Sequence, residues 1–105
     1  MQAARERRRY GRSPISRAMI LSQSGVGLSS GRTVNLSPGG ACGVMRKPLE
    51  VNVNDDVIVT LAIPERTVSG PSYKQVVAAA RVCRIENAGG ELVVGLQFKQ
   101  DIDIA

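Results

Sequence analysis

At positions 91–98 the chain reads ELVVGLQF, a stretch in which every second residue is large and apolar. These residues are Leu92, Val94, Leu96 and Phe98. Successive side chains of a β-strand point to opposite faces of the sheet, so this period of two predicts a strand with one buried face. The preceding residues 87–90, NAGG, predict a hairpin turn. This end of the chain therefore predicts antiparallel β-structure.

Working outward from there, the pattern remains β throughout. The predicted strands are residues 15–22, 32–36, 41–46, 56–63, 74–86 and 91–98. The glycine- and serine-rich stretch 22–31 bounds the first strand, and residues 64–72, with two prolines, predict a surface loop. No segment has the apolar face of a stable helix. Six short strands predict a small closed barrel or a sandwich, because closure removes exposed sheet edges.

The length and composition indicate one globular domain. A chain of 105 residues with 43% hydrophobic residues is long enough for a single core. No apolar run approaches the roughly 20 residues that span a bilayer, and no signal-peptide pattern follows the basic N-terminus. The prediction is a cytoplasmic domain without a membrane span.

The excess positive charge is confined to one end of the chain. Residues 1–17 contain six arginines and one glutamate, whereas residues 18–105 contain as many acidic as basic residues. Such an arm predicts an anionic partner, and arginine adds a bidentate fork and a stacking face that lysine lacks. The alternative is a solvated tail without a ligand.

The sequence contains few residues suited to catalysis or metal binding. The chain has no histidine, and Cys42 and Cys83 lack metal-ligand spacing, so both are predicted to be small buried thiols. Asp55 and Asp56 have the character of a turn before a strand. No nucleophile stands beside a base, and the sequence therefore predicts neither catalytic residues nor a metal or other cofactor.

Two short motifs carry the functional signal. Arg8 and Arg12 form an R-x-x-x-R inside an arginine run, and residues 35–40, NLSPGG, form an N-x-S-x-x-G. Alone, the first is typical of a basic tail. Alone, the second is typical of a tight turn, in which Asn and Ser bond nearby backbone and the glycines accept positive φ.

Together, at this spacing, the motifs resemble the signature of the PilZ domain family. The later part of the family pattern is similar to residues 82–85, VCRI, and residues 95–98, GLQF. The resemblance covers residues 6–98. It implies a six-stranded antiparallel β-barrel at 14–99 and a basic arm at 1–13 carrying the R-x-x-x-R. Many members of the family end in a helix, but residues 100–105 are predicted to be a tail with little or no C-terminal helix, which departs from the family pattern.

The resemblance also implies a ligand, the bacterial second messenger cyclic di-GMP. Arg8 and Arg12 would hold its phosphates and guanines, Asn35 and Ser37 would hydrogen-bond a guanine and nearby backbone, and Gly40 with Gly39 would leave room for it. In this family a basic residue at the position of Arg7 often accompanies an intercalated ligand dimer. Arg7 and Arg9 thus favour two ligands per protein.

Ligand binding would rearrange the arm toward a partner protein or domain. The sequence does not identify this partner, and it leaves open whether the chain forms a homodimer. The alternative function is a small basic barrel that binds nucleic acid or a protein without sensing a nucleotide. Low aromatic content argues against it, because single-stranded nucleic acid is usually held by stacking on aromatic side chains.

Overall fold

The computed structural model describes residues 15–104, which form a closed barrel of six antiparallel strands. The strands are β1 (Ala18–Gln23), β2 (Val26–Ser37), β3 (Gly40–Met45), β4 (Asp56–Thr67), β5 (Gly70–Ala88) and β6 (Glu91–Phe98). Their order around the barrel is β1-β2-β3-β6-β5-β4, so β4 closes the ring by pairing with β1. The antiparallel barrel expected from the sequence is confirmed.

Alternating side chains of the strands fill the interior. The four apolar residues of β6 described above are buried, as are those that share a face of β4. The latter are Val57, Val59, Leu61 and Ile63. Leu21 of β1 and Leu36 of β2 complete the centre of the core. Since side chains occupy the interior, the barrel is a packed core and a ligand must bind on its outside.

Two of the tight turns have the backbone that hairpins require. Gly89 and Gly90 have φ angles of 59° and 84°, and the hairpin turn predicted at 87–90 is confirmed. The β1–β2 turn has positive φ at Ser24 and Gly25. Two consecutive residues with positive φ match the right-handed twist of the flanking strands, which is why such turns join adjacent strands closely.

Two connections differ from the prediction. The stretch 64–72 is not a loop, because β4 and β5 continue as a ladder until Thr67 pairs with Gly70. Pro64 and Pro71 are exposed in this extension, at positions that sheets tolerate near an edge. The stretch 22–31 is not a long connection either, since the chain turns at 24–25 and enters β2 at Val26.

The two cysteines lie in different environments. Cys42 is buried, as predicted, but Cys83 is exposed, so the prediction of two buried thiols is wrong for the second. Cys83 is the extra residue of a bulge in β5, where Val82 pairs with Leu96 and Arg84 with Gly95. A bulged residue leaves the alternation of its strand, and the apolar neighbours of Cys83 therefore misled the prediction.

Residues 99–104 follow β6 without a helix and lie against the barrel. Lys99 N–H donates to the carbonyl of Ala79 at 2.9 Å, and Ile102 and Ile104 are half-buried against the core. Within residues 15–104, no helix is long and apolar enough to cross a membrane.

Candidate ligand-binding site

The N-x-S-x-x-G motif forms the turn between β2 and β3. Ser37 ends β2, Gly40 begins β3, and the two residues pair across the ladder. The Ser37 hydroxyl donates to the carbonyl of Gly40 at 3.4 Å, and both residues are buried. The tight turn expected from the motif is therefore present.

The glycines of this turn are needed for a reason other than backbone angles. Among the described residues, positive φ occurs at glycines 25, 70, 89 and 90, but not at Gly39 or Gly40. The positive φ expected for this turn is thus wrong. Gly39 is half-buried and Gly40 is buried, and neither carries a side chain that would stand between the backbone and an approaching group.

The chain after β6 fixes this turn in place. The carbonyl of Gly39 accepts a hydrogen bond from Phe98 N–H at 3.0 Å, and the carbonyl of Pro38 accepts one from Ile102 N–H at 2.9 Å. Both bonds join the turn to the C-terminal segment. The turn is therefore tied to the last residue of β6 and to the segment that follows it.

Asn35 lies on the same outer surface as Ser37. The two flank Leu36, which points into the core, so the alternation of β2 turns both polar side chains outward. Asn35 is half-buried and pairs with Cys42 of β3. A register shift between Thr33 and Asn35 precedes it, and such a bulge re-aims the residues around it.

Residues 15–17, which follow the basic arm in sequence, are bonded to β2 beside this motif. Thr33 Oγ1 accepts a hydrogen bond from Arg17 N–H at 2.8 Å and donates one to the carbonyl of Ile15, while Thr33 N–H donates to the carbonyl of Arg17 at 2.9 Å. Residues 15–17 therefore run along β2 at Thr33, about 13 Å of strand from Ser37. Residues 15–17 are bound to this strand without belonging to β1.

The arginines proposed for the site lie outside the described residues. They are Arg7, Arg8, Arg9 and Arg12. Chain length alone limits how far Arg12 lies from Ile15, because three residues span at most about 11 Å. The structure thus brings together Asn35, Ser37, Gly39 and Gly40, and it anchors Ile15 at Thr33 of the same strand.

Sequence reasoning missed Thr33 as the anchor of the arm. It is a fully buried polar residue two positions before the motif, and its hydroxyl serves two backbone groups. The sequence signal was weak, because a threonine in a strand is common and its partners lie 16 and 18 residues away.

Replacing Thr33 by valine is expected to lower the free energy of unfolding by about 1–3 kcal/mol, because Ile15 C=O and Arg17 N–H lose a buried partner. Urea unfolding measures this loss. Hydrogen exchange at the Arg17 amide should also accelerate. Thr60→Val on β4 is the matched control, since its hydroxyl makes no hydrogen bond within residues 15–104. Equal effects of both variants would contradict the anchoring role.

Fold and site together define a class of protein: small closed β-barrels with a filled interior and a polar turn between β2 and β3. The chain belongs to the PilZ domain family, whose model matches residues 6–105. Among curated protein sequences, none is a significant match to this chain.

Solved structures of the same fold include three from bacteria. The inhibitor of motility MotI/DgrA of Bacillus subtilis superposes with a TM-score of 0.75 at 20% identity, over 90% of this chain and 44% of that one. The PilZ domain of CeSA from a cellulose-synthesizing bacterium superposes with a TM-score of 0.65 at 18% identity, over 89% of this chain and 84% of that one. The PilZ domain of Escherichia coli YcgR, solved with c-di-GMP, superposes with a TM-score of 0.58 at 18% identity, over 89% of this chain and 78% of that one. The chain thus spans less than half the length of the motility inhibitor.

Proposed function

We propose that this chain is a receptor domain for cyclic di-GMP. The ligand would lie on the outer face of the β2–β3 hairpin, between the turn and the arginine arm. Its binding residues would be Arg8, Arg12, Asn35, Ser37 and Gly40. Arg7, Arg9 and Gly39 would complete the site.

One observation carries the proposal. Residues 15–17, which follow the arm in sequence, are anchored at Thr33 on the same strand that bears Asn35 and Ser37. The described chain next to the arm is thus bonded to the strand that carries the second motif, which supports a site shared by the two motifs. Membership of the PilZ family, a family of cyclic di-GMP receptor domains, supports the same ligand.

The chemistry of the residues suits a cyclic dinucleotide with two phosphates. A guanidinium donates two parallel hydrogen bonds to a phosphate, or to the O6 and N7 atoms of guanine. An asparagine amide carries donors and an acceptor that match a base edge, and the Ser37 hydroxyl, which donates to the Gly40 carbonyl, retains acceptor capacity. Gly39 and Gly40 present no side chain that would hold the ligand away from the backbone.

Signalling would follow from ordering of the arm. The arm at 1–13 holds five arginines and one glutamate, a net charge of +4, and its closure over a bound anion would change the surface presented to a partner protein or domain. Two ligands per protein, favoured by Arg7, remain a prediction, as do the cytoplasmic location and a homodimer.

Isothermal titration of the purified chain with cyclic di-GMP tests the proposal. We expect saturable binding, with a stoichiometry of two ligands per chain if Arg7 has the role inferred for it. GTP and linear pGpG are the controls, because they carry guanine and phosphate without the cyclic geometry. A flat titration of folded protein, or equal binding of all three nucleotides, would contradict the proposal.

The alternative of a nucleic-acid-binding barrel finds less support in the described chain. Phe98 is buried in the core, and Tyr73 lies on the β4–β5 extension, so residues 15–104 offer a single exposed aromatic ring. Single-strand binding usually relies on several such rings. Gel retardation by micromolar protein at moderate salt would favour this alternative.

A further inference from the structure

The outer face of the barrel next to the motif contains a row of four paired residues. Asn35 of β2 pairs with Cys42 of β3, Cys42 pairs with Gly95 of β6, and Gly95 pairs with Arg84 of β5. Paired residues of neighbouring strands present their side chains on the same face. The row therefore begins at a motif residue and ends at an arginine.

The adjacent row shows that this face is the outer one. Leu36 pairs with Ala41, Ala41 with Leu96, and Leu96 with Val82, and all four side chains are in the core. Residues one step away along each strand point the opposite way. The row from Asn35 to Arg84 thus faces outward.

Between its ends, the row consists of small residues. Cys42 and Gly95 rise little above the backbone, and both are buried although they face outward. The side chain of Arg84 covers them: a methyl group at Gly95 would lie 3.4 Å from Arg84 Cβ and 3.8 Å from Arg84 Nε. Cys42 and Gly95 form a low floor between Asn35 and Arg84.

The guanidinium of Arg84 extends across this floor toward the motif. Its Nη2 lies 3.4 Å from Cys42 Sγ. Cys42 is on β3, two strands away from β5, so the side chain of Arg84 crosses about 10 Å of sheet. Its Nε lies 3.3 Å from Glu86 Oε1. The fork is therefore held one strand away from Asn35, with its charge already on the face where the ligand is proposed to bind.

The bond that positions the fork is easily exchanged. A thiol is a weak hydrogen-bond acceptor, whereas a phosphate or guanine oxygen is a strong one, and a charged donor gains most from a strong acceptor. The Arg84 side chain is 55% exposed, so a ligand can approach it from solvent. If Arg84 exchanges its hydrogen bond to the Cys42 thiol for one to a ligand oxygen, the new bond is therefore the stronger of the two.

We propose that Arg84 is a further ligand-binding residue. It would donate from its guanidinium to a guanine edge or a phosphate of cyclic di-GMP, across the Cys42–Gly95 floor from Asn35. This inference rests on the proposed function. It extends the site from the β2–β3 turn over β6 to β5, and it adds an arginine of the barrel to those proposed in the arm.

Titration of Arg84→Ala with cyclic di-GMP tests this inference, and we expect affinity to fall about ten- to a hundredfold. Arg66→Ala is the matched control: it removes the same charge beside the β4–β5 turn, where Arg66 pairs with Pro71, and should leave affinity within about twofold. Thermal unfolding of both variants verifies the fold. Arg84→Lys distinguishes a phosphate acceptor from a guanine edge. Lysine can replace a contact to phosphate but not a bidentate contact to guanine, so a small loss of affinity indicates phosphate and a large loss indicates guanine.

The outcomes separate the two proposals. Binding by the unsubstituted chain, with Arg84→Ala as tight as Arg66→Ala, would overturn the role of Arg84 and leave the proposed function standing. No binding by the unsubstituted chain would overturn both. Should Arg84→Ala fail to fold, Arg84→Gln retains the length of the side chain over Gly95 without its charge, and the same loss of affinity is expected.

Discussion

Replacing both Arg8 and Arg12 by alanine is expected to abolish measurable binding of cyclic di-GMP at micromolar ligand. Each charge-assisted hydrogen bond contributes about 1.5–3 kcal/mol, so each single variant should lose about ten- to a hundredfold in affinity. The double variant should lose roughly a hundred- to ten-thousandfold if the two contributions add. Isothermal titration measures all three variants.

The matched control is a chain with Arg46 and Arg66 replaced by alanine. Arg46 follows β3 at the end away from the Gly40 turn, and Arg66 lies beside the β4–β5 turn. This control removes the same two charges from the part of the barrel outside the proposed site. If it loses as much affinity as the Arg8 and Arg12 variant, the arginines act only through net charge and the motif has no specific role.

Neither arginine of the motif has an expected role in the core. The Arg8→Ala and Arg12→Ala variants should therefore unfold at the same denaturant concentration as the unsubstituted chain. Such a result would show that lost affinity reflects a lost contact and not a lost fold. A large shift of the unfolding midpoint would instead make the arm part of the folded barrel.

Gly31→Ala is expected to destabilise the barrel by about 3 kcal/mol or more, at the upper end of the usual cost of overpacking. A methyl group at Gly31 would lie 2.0 Å from the carbonyl oxygen of Val44 and 2.9 Å from Met45 Cα. Both are backbone atoms of β3, so relief requires the β2–β3 ladder to shift. Urea unfolding followed by circular dichroism measures the loss.

Gly27→Ala, in the same strand, is the control. A methyl group there has no neighbour within 4 Å, and alanine restricts the unfolded chain more than glycine does. We expect no loss of stability, or a gain of about 0.4–1 kcal/mol. If the two variants behaved alike, close packing of β2 against β3 would not be what requires glycine at 31.

The consequence for the site is direct, because β2 and β3 also carry the motif turn. A shift of the ladder at Gly31 would be transmitted along β2 toward Asn35 and Ser37. We therefore expect Gly31→Ala to weaken ligand binding even at temperatures where the protein remains folded. Gly27→Ala should bind as the unsubstituted chain does.

The strands with clear alternation could be predicted from the sequence. The apolar residues of β4 and β6 identify their own buried faces, because a period of two is a local property of a strand. The turn at Gly89–Gly90 was equally local, since paired glycines indicate the backbone angles of a hairpin turn. The motif turn at 37–40 was also predicted locally, from its Asn, Ser, Pro and Gly residues, although the positive φ expected there is absent.

Features that depend on pairing between distant strands could not be predicted. The ladder beyond Ile63 exists because β4 and β5 pair with each other, although Pro64 and Pro71 favour a loop locally. The exposure of Cys83 follows from a bulge opposite Gly95, which no single-strand pattern contains. The anchor at Thr33 joins atoms 16 and 18 residues apart.

By itself, the sequence determined the strand character, the position of the motif turn, the charge of the arm and the family resemblance, because these reside in local periodicity and in short motifs. Only the tertiary structure decided that Asn35 and Arg84 share one outer row, since that depends on the register of four strands. A register is fixed by the packing of the whole core, and a shift of one residue would turn every side chain of a strand to the other face.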